Sequence, residues 1–278
     1  MTTHIRSNPF LDRLRAGHLT LMLGIRCSRT SDVVRIAHAT GHHAVLVDLE
    51  HSAMPLDLAA QMCATAGDLG MTPFVRVPER EYGAIGRLLD CGAHGIVVPR
   101  VETVAEAELV SRACRFPPAG QRSQLAMVPH LGMRPTAARE LNPALDAATI
   151  VQILLETPAG IENADAIAAL DGVDMLAIGA NDLTAELGVP GEYGHPAVRD
   201  AVATAAAACA KHGKLLQVGG ITDLELLDSL APLGVSPLQL TGMDTDLLHS
   251  AALSRATRFT DRWSGPHHHD DSEGREHA

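Results

Sequence analysis

Short, nearly continuous apolar runs alternate along this chain with longer amphipathic stretches. Eight of the runs have strand length: Leu19–Gly24, Ala44–Asp48, Pro73–Val77, Gly95–Pro99, Ile150–Leu155, Asp174–Ile178, Lys214–Val218 and Pro237–Thr241. Runs without in-out alternation are expected of parallel strands covered on both faces. The segments between them have helical period. Ser31–Ala39 carries Val33, Val34 and Ile36 behind Ser31, which is placed to act as an N-cap. Thr103–Cys114 opens Thr-Val-Ala-Glu, a capping box with Thr103 at the cap and Glu106 at its third position. Pro196–His212 and Thr222–Leu230 read the same way, and Gly41, Gly70 and Gly213 stand where helices must stop before the next strand.

Eight strands with intervening helices predict a (β/α)8 TIM barrel of parallel strands, one domain spanning residues 1–263. A doubly wound sheet is the alternative, but no G-x-G-x-x-G follows the first strand. Residues 116–149 make a long connection, expected to serve as a lid or to carry a helix at Ala137–Leu145. From Ser264 the chain becomes a polar tail, expected to be disordered, and His267, His268 and His269 belong to it.

Composition sharpens this picture. Apolar residues make up 46% of the 278 but aromatics only 3%, so the core must be built from Ala, Val, Leu and Ile. A net charge of −11 argues against a general binder of nucleic acid or anionic membranes. No apolar run approaches the ~18 residues of a membrane span, and the first residues lack the apolar stretch of a signal peptide. The five cysteines are scattered, without a C-x-x-C pair, which favours reduced thiols and a cytoplasmic protein. Cys27 and Cys91 have no activating neighbour in sequence and are expected to be buried and inert. Lys211 and Lys214 are the only lysines, which excludes a P-loop or kinase-type lysine and leaves few places for a Schiff base.

Ionisable residues gather just after the strand ends that form the catalytic face of a barrel. Asp48-Leu-Glu50-His51, Glu156, Asp182 and Asp244 all follow apolar runs, and Arg76 lies inside one. Glu156 and Asp182 follow consecutive strands and should be neighbours. Two carboxylates without Cys or His partners suit a hard divalent cation with open positions. The other reading is an N-cap or a salt bridge, with Asp182 capping its helix. His51 is placed to be a general acid or base, or is a loop histidine. Arg76 must meet either a carboxylate of the protein or an anionic ligand. Gly179-Ala180-Asn181 presents backbone N–H groups of the kind that receive a carboxylate or phosphate.

An ordered set of short motifs carries a resemblance: Asp48-Leu-Glu50-His51-Ser, Pro73-Phe-Val-Arg76, Leu88-Leu-Asp90-Cys-Gly92-Ala, Val98-Pro-Arg-Val101, Phe116-Pro-Pro-Ala-Gly120-Gln-Arg122, Leu155-Glu156-Thr157, Ile178-Gly-Ala-Asn-Asp182-Leu and Gly242-Met-Asp244-Thr. From about Leu11 to Phe259 the chain resembles the HpcH/HpaI aldolases, metal-dependent pyruvate aldolases of the citrate lyase β-like superfamily built on a (β/α)8 barrel. The resemblance implies a carbon–carbon lyase that cleaves a 4-hydroxy-2-oxo acid to pyruvate and an aldehyde through a metal-bound enolate, or runs the reverse. It implies Glu156 and Asp182 as ligands of Mg²⁺, Mn²⁺ or Co²⁺. It also implies Arg76 on the keto oxygen, the backbone of Gly179, Ala180 and Asn181 on the carboxylate, and His51 supported by Asp90 as proton carrier. The family tendency to form hexamers that exchange a C-terminal helix would make Leu247–Phe259 an interface. An acyl-CoA ester lyase or decarboxylase using the same enolate is the alternative activity, and a non-catalytic keto-acid binder the alternative class. The chain departs from the common pattern in three places. Leu154 stands where many members have Gln, Gly-Ala-Asn-Asp replaces Gly-Pro-Ala-Asp, and Val218-Gly-Gly-Ile is unlike the usual substrate-facing segment.

Overall fold

A computed structural model describes residues 9–263, so the polar tail with its three histidines lies outside the described residues. Helix α1 (Pro9–Arg15) precedes eight parallel strands: β1 (Thr20–Ile25), β2 (Ala44–Asp48), β3 (Thr72–Arg76), β4 (Gly95–Val98), β5 (Ile150–Leu155), β6 (Met175–Gly179), β7 (Leu215–Gly219) and β8 (Leu238–Met243). The strands pair in sequence order from β1 to β7, and β1 pairs with β8. Between β7 and β8 the ladder shrinks to a bridge of Leu216 with Val235. Ser236 reinforces it by donating its N–H (2.7 Å) and its hydroxyl (2.6 Å) to the Leu216 carbonyl. The result is the expected (β/α)8 barrel, nearly closed.

The crossover helices are α2 (Asp32–Ala39), α3 (Leu56–Asp68), α4 (Ile85–Asp90), α5 (Val104–Cys114), α6 (Ala138–Ala148), the short pair α7 (Pro158–Glu162) and α8 (Ala164–Ala168), α9 (Ala180–Glu186), α10 (Pro196–His212) and α11 (Leu224–Leu230). A final helix, α12 (Asp244–Trp263), is the last element among the described residues. One apolar cluster fills the layer between strands and helices. A second fills the barrel, where Met22, Leu46, Phe74, Val97, Leu154, Ala177 and Leu238 meet Phe10, Leu11 and Leu14 of α1. Helix α1 thereby plugs the N-terminal mouth, with the Phe10 and Phe74 rings 4.9 Å apart. Gly95 makes room for that packing, since a Cβ there would lie 2.1 Å from the Phe74 ring. Inside the barrel Gln152 donates to Gln217 at 2.7 Å, which satisfies two buried amides that would each be costly alone.

Local signals behave unevenly. Thr103 and Glu106 form the reciprocal capping box. Gly41, Gly70 and Gly213 have φ of +83°, +76° and +67°, the left-handed geometry that ends a helix. Ser31 does not cap α2, because it already has helical angles (φ −69°, ψ −1°) and its side chain makes no cap bond. Of the two expectations for the 116–149 connection, the helix is present: it carries α6, its Phe116, Val128, Leu131, Leu141 and Leu145 make a small core of their own, and none of its residues lines the cavity at the C-terminal end of the barrel. The cysteines are all unpaired, and Cys63, Cys114 and Cys209 are buried. Cys27 is exposed and Cys91 half-buried, contrary to expectation, since each lies in the turn just past an element rather than on an inward face. Among the described residues no helix is long and apolar enough to cross a membrane.

Candidate active site

A cavity of about 380 Å³ opens at the C-terminal end of the barrel. Its lining includes Arg26, Arg76, Glu156, Gly179, Ala180, Asn181 and Asp182, with Leu46, Val97, Leu154 and Ala177 below them. Asp48 and Arg76 sit opposite one another where β2 and β3 end. Asp48 is fully buried and accepts two bonds from Arg76, Nε to Oδ1 at 3.0 Å and Nη2 to Oδ2 at 2.8 Å. Arg26 adds a third through Nε (3.1 Å), and the backbone N–H groups of Glu50 and His51 add two more. Burial opposes the Asp48 charge, but the Arg76 bonds outweigh it and hold the carboxyl below its usual range. Of the two partners the sequence allowed for Arg76, the structure supplies protein carboxylates: Asp48, and also Glu50, whose Oε2 is 3.2 Å from Nε.

Glu156 follows β5 and is buried. Burial raises its pKa to about 7, with the charges of Asp182 and Glu50 adding to the rise, while a bond from the Arg100 N–H (3.0 Å) and the charge of Arg76 oppose it. Arg100 makes that bond from a left-handed backbone, φ +50°. Its side chain is anchored by Glu186 at 2.8 Å. Gly179 explains how Glu156 fits, because a Cβ there would lie 2.4 Å from Oε1. Asp182 stands in the first turn of α9, whose cap residue is Gly179, and it makes no capping bond. The capping reading of Asp182 therefore does not hold.

His51 is exposed at the rim, with Nε2 3.7 Å from Glu50 Oε2. Asp90 does not meet His51 within the chain. It ends α4 and pairs instead with the buried guanidinium of Arg122, at 2.9 Å. Asp244 is structural. Its carboxylate accepts the N–H groups of Arg26, Cys27 and Ser28; burial opposes its charge, but the Ser28 side chain and these N–H groups hold its pKa at about 2. Sequence reasoning placed Glu50 on this face without giving it a role, and overlooked two further neighbours of the site. Arg26 carries the signal used for the others, an ionisable group just past a strand end. The Arg100 N–H carries none, because a backbone donor leaves no residue-type signature.

The site suits a hard divalent cation. Glu156, Asp182, Glu50 and Asp48 crowd more negative charge than Arg26 and Arg76 balance, and their donors are oxygens. Glu156 and Asp182 alone would leave most positions of such a cation open for substrate and water. The profile of the HpcH/HpaI aldolase/citrate lyase family matches residues 26–226. The chain belongs to this family. It is 37% identical over 254 residues to the 4-hydroxy-4-methyl-2-oxoglutarate aldolase cghB of Chaetomium globosum, covering 90% of this chain and 94% of that one. It is 38% identical over 216 residues to the aldolase tasA, of the same description, from Hapsidospora irregularis, covering 77% of this chain and 80% of that one. The HpcH/HpaI aldolase of Desulfitobacterium hafniense superposes with a TM-score of 0.83 at 24% identity, over 90% of this chain and 96% of that one, and so shares the fold. The family's enzymes are metal-dependent carbon–carbon lyases, and the acidic rim found here has the charge such a metal needs.

Proposed function

We propose that this protein cleaves a 4-hydroxy-2-oxo acid to pyruvate and an aldehyde or ketone, and catalyses the reverse condensation. The observation that carries this reading is the buried Glu156 beside Asp182 in a barrel cavity that also holds the Arg76 guanidinium. Glu156 and Asp182 would hold a divalent cation such as Mg²⁺, Mn²⁺ or Co²⁺, which would supply Lewis-acid stabilisation of charge on the substrate's C2 oxygen. Arg76, oriented by Asp48, faces that same oxygen. The turn Gly179–Ala180–Asn181 receives the C1 carboxylate. His51, at the rim beside Glu50, takes the proton of the C4 hydroxyl. The C3–C4 bond then breaks, C4 becomes a carbonyl, and the electron pair passes to C3 and the C2 oxygen as pyruvate enolate. A proton added at C3 completes the reaction.

Lysine chemistry has no support. Lys211 pairs with Asp165, and Lys214, before β7 at the opposite end of the barrel, donates to the carbonyls of Val173 and Leu170. An acyl-CoA substrate is also poorly served, since among the described residues Arg26 and Arg76 are the only cationic residues in the cavity lining, too few for the several phosphates of CoA. The exposed Leu248, Leu253, Phe259 and Trp263 of α12 suit burial against a second copy of the chain, in keeping with a homo-oligomer such as the family's hexamer. Unpaired cysteines suit a cytoplasmic location. The reading is tested by pyruvate release from 4-hydroxy-2-oxo acids. EDTA should abolish it and a divalent cation restore it. Trapping of pyruvate on a lysine by borohydride would contradict it.

A further inference from the structure

We propose that Arg26 binds an anionic group on the half of the substrate that does not become pyruvate, so that the preferred substrate is a 4-hydroxy-2-oxo dicarboxylate. Arg26 directly follows β1, while Glu156 follows β5. In an eight-stranded ring, strands four apart face each other, so a keto acid seated at Glu156 and Gly179 extends its far end toward β1. Arg26 lines that side of the cavity with Met22, Gly242 and Met243.

Its guanidinium is fixed but largely uncommitted. Nε donates to Asp48 at 3.1 Å, and no hydrogen bond from either Nη occurs among the described residues. Its backbone N–H is tied to Asp244 at 2.8 Å, which anchors the residue at its other end. Asp48 already receives a bidentate bond from Arg76, so one carboxylate is shared by two guanidiniums. The side chain is 32% exposed. Two free Nη groups on a planar fork match a carboxylate in a way a lysine could not. Asp246, the acidic residue in this part of the lining, is exposed, where solvent and salt screen its charge.

The inference rests on the aldolase reading, and the experiment separates the two. The probes are 4-hydroxy-2-oxoglutarate and 4-hydroxy-2-oxovalerate, which differ only in a carboxylate or a methyl group at C5. With pyruvate release as readout, the native protein should prefer the dicarboxylate in kcat/KM by about 30-fold or more, the range of one charge-assisted bidentate contact. Arg26→Gln should lose about 30-fold more on the dicarboxylate than on the monocarboxylate, mainly in KM. Arg26→Lys should keep part of the preference. Equal losses on both substrates would overturn the proposal, placing Arg26 as a support for Asp48. So would a native protein that favours the monocarboxylate, or one that cleaves neither while exchanging the methyl protons of pyruvate with solvent. Failure of cleavage and exchange together would overturn the aldolase reading and this inference with it.

Discussion

The guanidinium of Arg76 grips both oxygens of Asp48, at 3.0 and 2.8 Å, from the ends of two adjacent strands. The carboxylate is fully buried and gathers Arg26 and two backbone donors as well, so it fixes the orientation of most of one side of the cavity. Removing one partner of such a pair strands a buried charge. Asp48→Ala should destabilise the protein by about 3–5 kcal/mol in urea unfolding. Arg76→Lys keeps a charge but loses the fork, and should cost about 100-fold or more in kcat/KM while costing less stability than Asp48→Ala. A fully active Arg76→Lys would make Arg76 purely structural.

Gly179 offers a test confined to one carboxylate. Its backbone angles, φ −86° and ψ 89°, do not require glycine. A methyl group would nonetheless lie 2.4 Å from Glu156 Oε1. Gly179→Ala should therefore move that carboxylate, weakening divalent-cation affinity by about tenfold or more, the scale seen for disturbed ligand orientation. Circular dichroism should show the barrel intact. Unchanged cation affinity would mean that Glu156 is not a ligand.

Glu156 also predicts a pH dependence. Its pKa of about 7 in the folded protein lies above the usual carboxyl value of 4.5, first because of burial and then because of Asp182 and Glu50. The unfolded chain thus gives up this proton first. The metal-free protein should lose stability as pH rises from the ordinary carboxyl range through about 7. A bound cation requires the ionised form. Calorimetry in buffers of different ionisation heat should show about one proton released per cation near pH 6 and almost none above pH 8. No release near pH 6 would contradict the assignment.

Arg100 separates backbone from side chain. Its N–H reaches Glu156 only from the left-handed region, which a β-branched residue disfavours. Arg100→Gly and Arg100→Val both lose the pair with Glu186. The valine variant should be less stable by about 1–2 kcal/mol and bind the cation more weakly. Equal behaviour of the two would show that the left-handed backbone plays no part.

The barrel was legible because most of its parallel strands bury both faces and so write a solid apolar run, as at Val45–Val47 and Ile153–Leu155. Glu156, Asp182 and Arg76 were legible because a charge at the end of such a run, or inside it, breaks the pattern. What a pattern cannot carry is pairing. That Asp90 faces Arg122 and not His51 depends on how α4 packs beside the 116–149 connection. That Arg26 shares Asp48 with Arg76 depends on the register of three strand ends. Ser31 had the right residue type for a cap and the wrong backbone angles.

The central claim is that this cavity makes the enolate of pyruvate, and one measurement addresses it without knowledge of the second substrate. Protein with a divalent cation should exchange the methyl protons of pyruvate in D₂O, followed by proton NMR against a cation-only control. Glu156→Gln and Asp182→Asn should each nearly abolish the exchange, because an amide replaces an anionic donor. No exchange at any cation concentration, or exchange undiminished in both variants, would contradict the account.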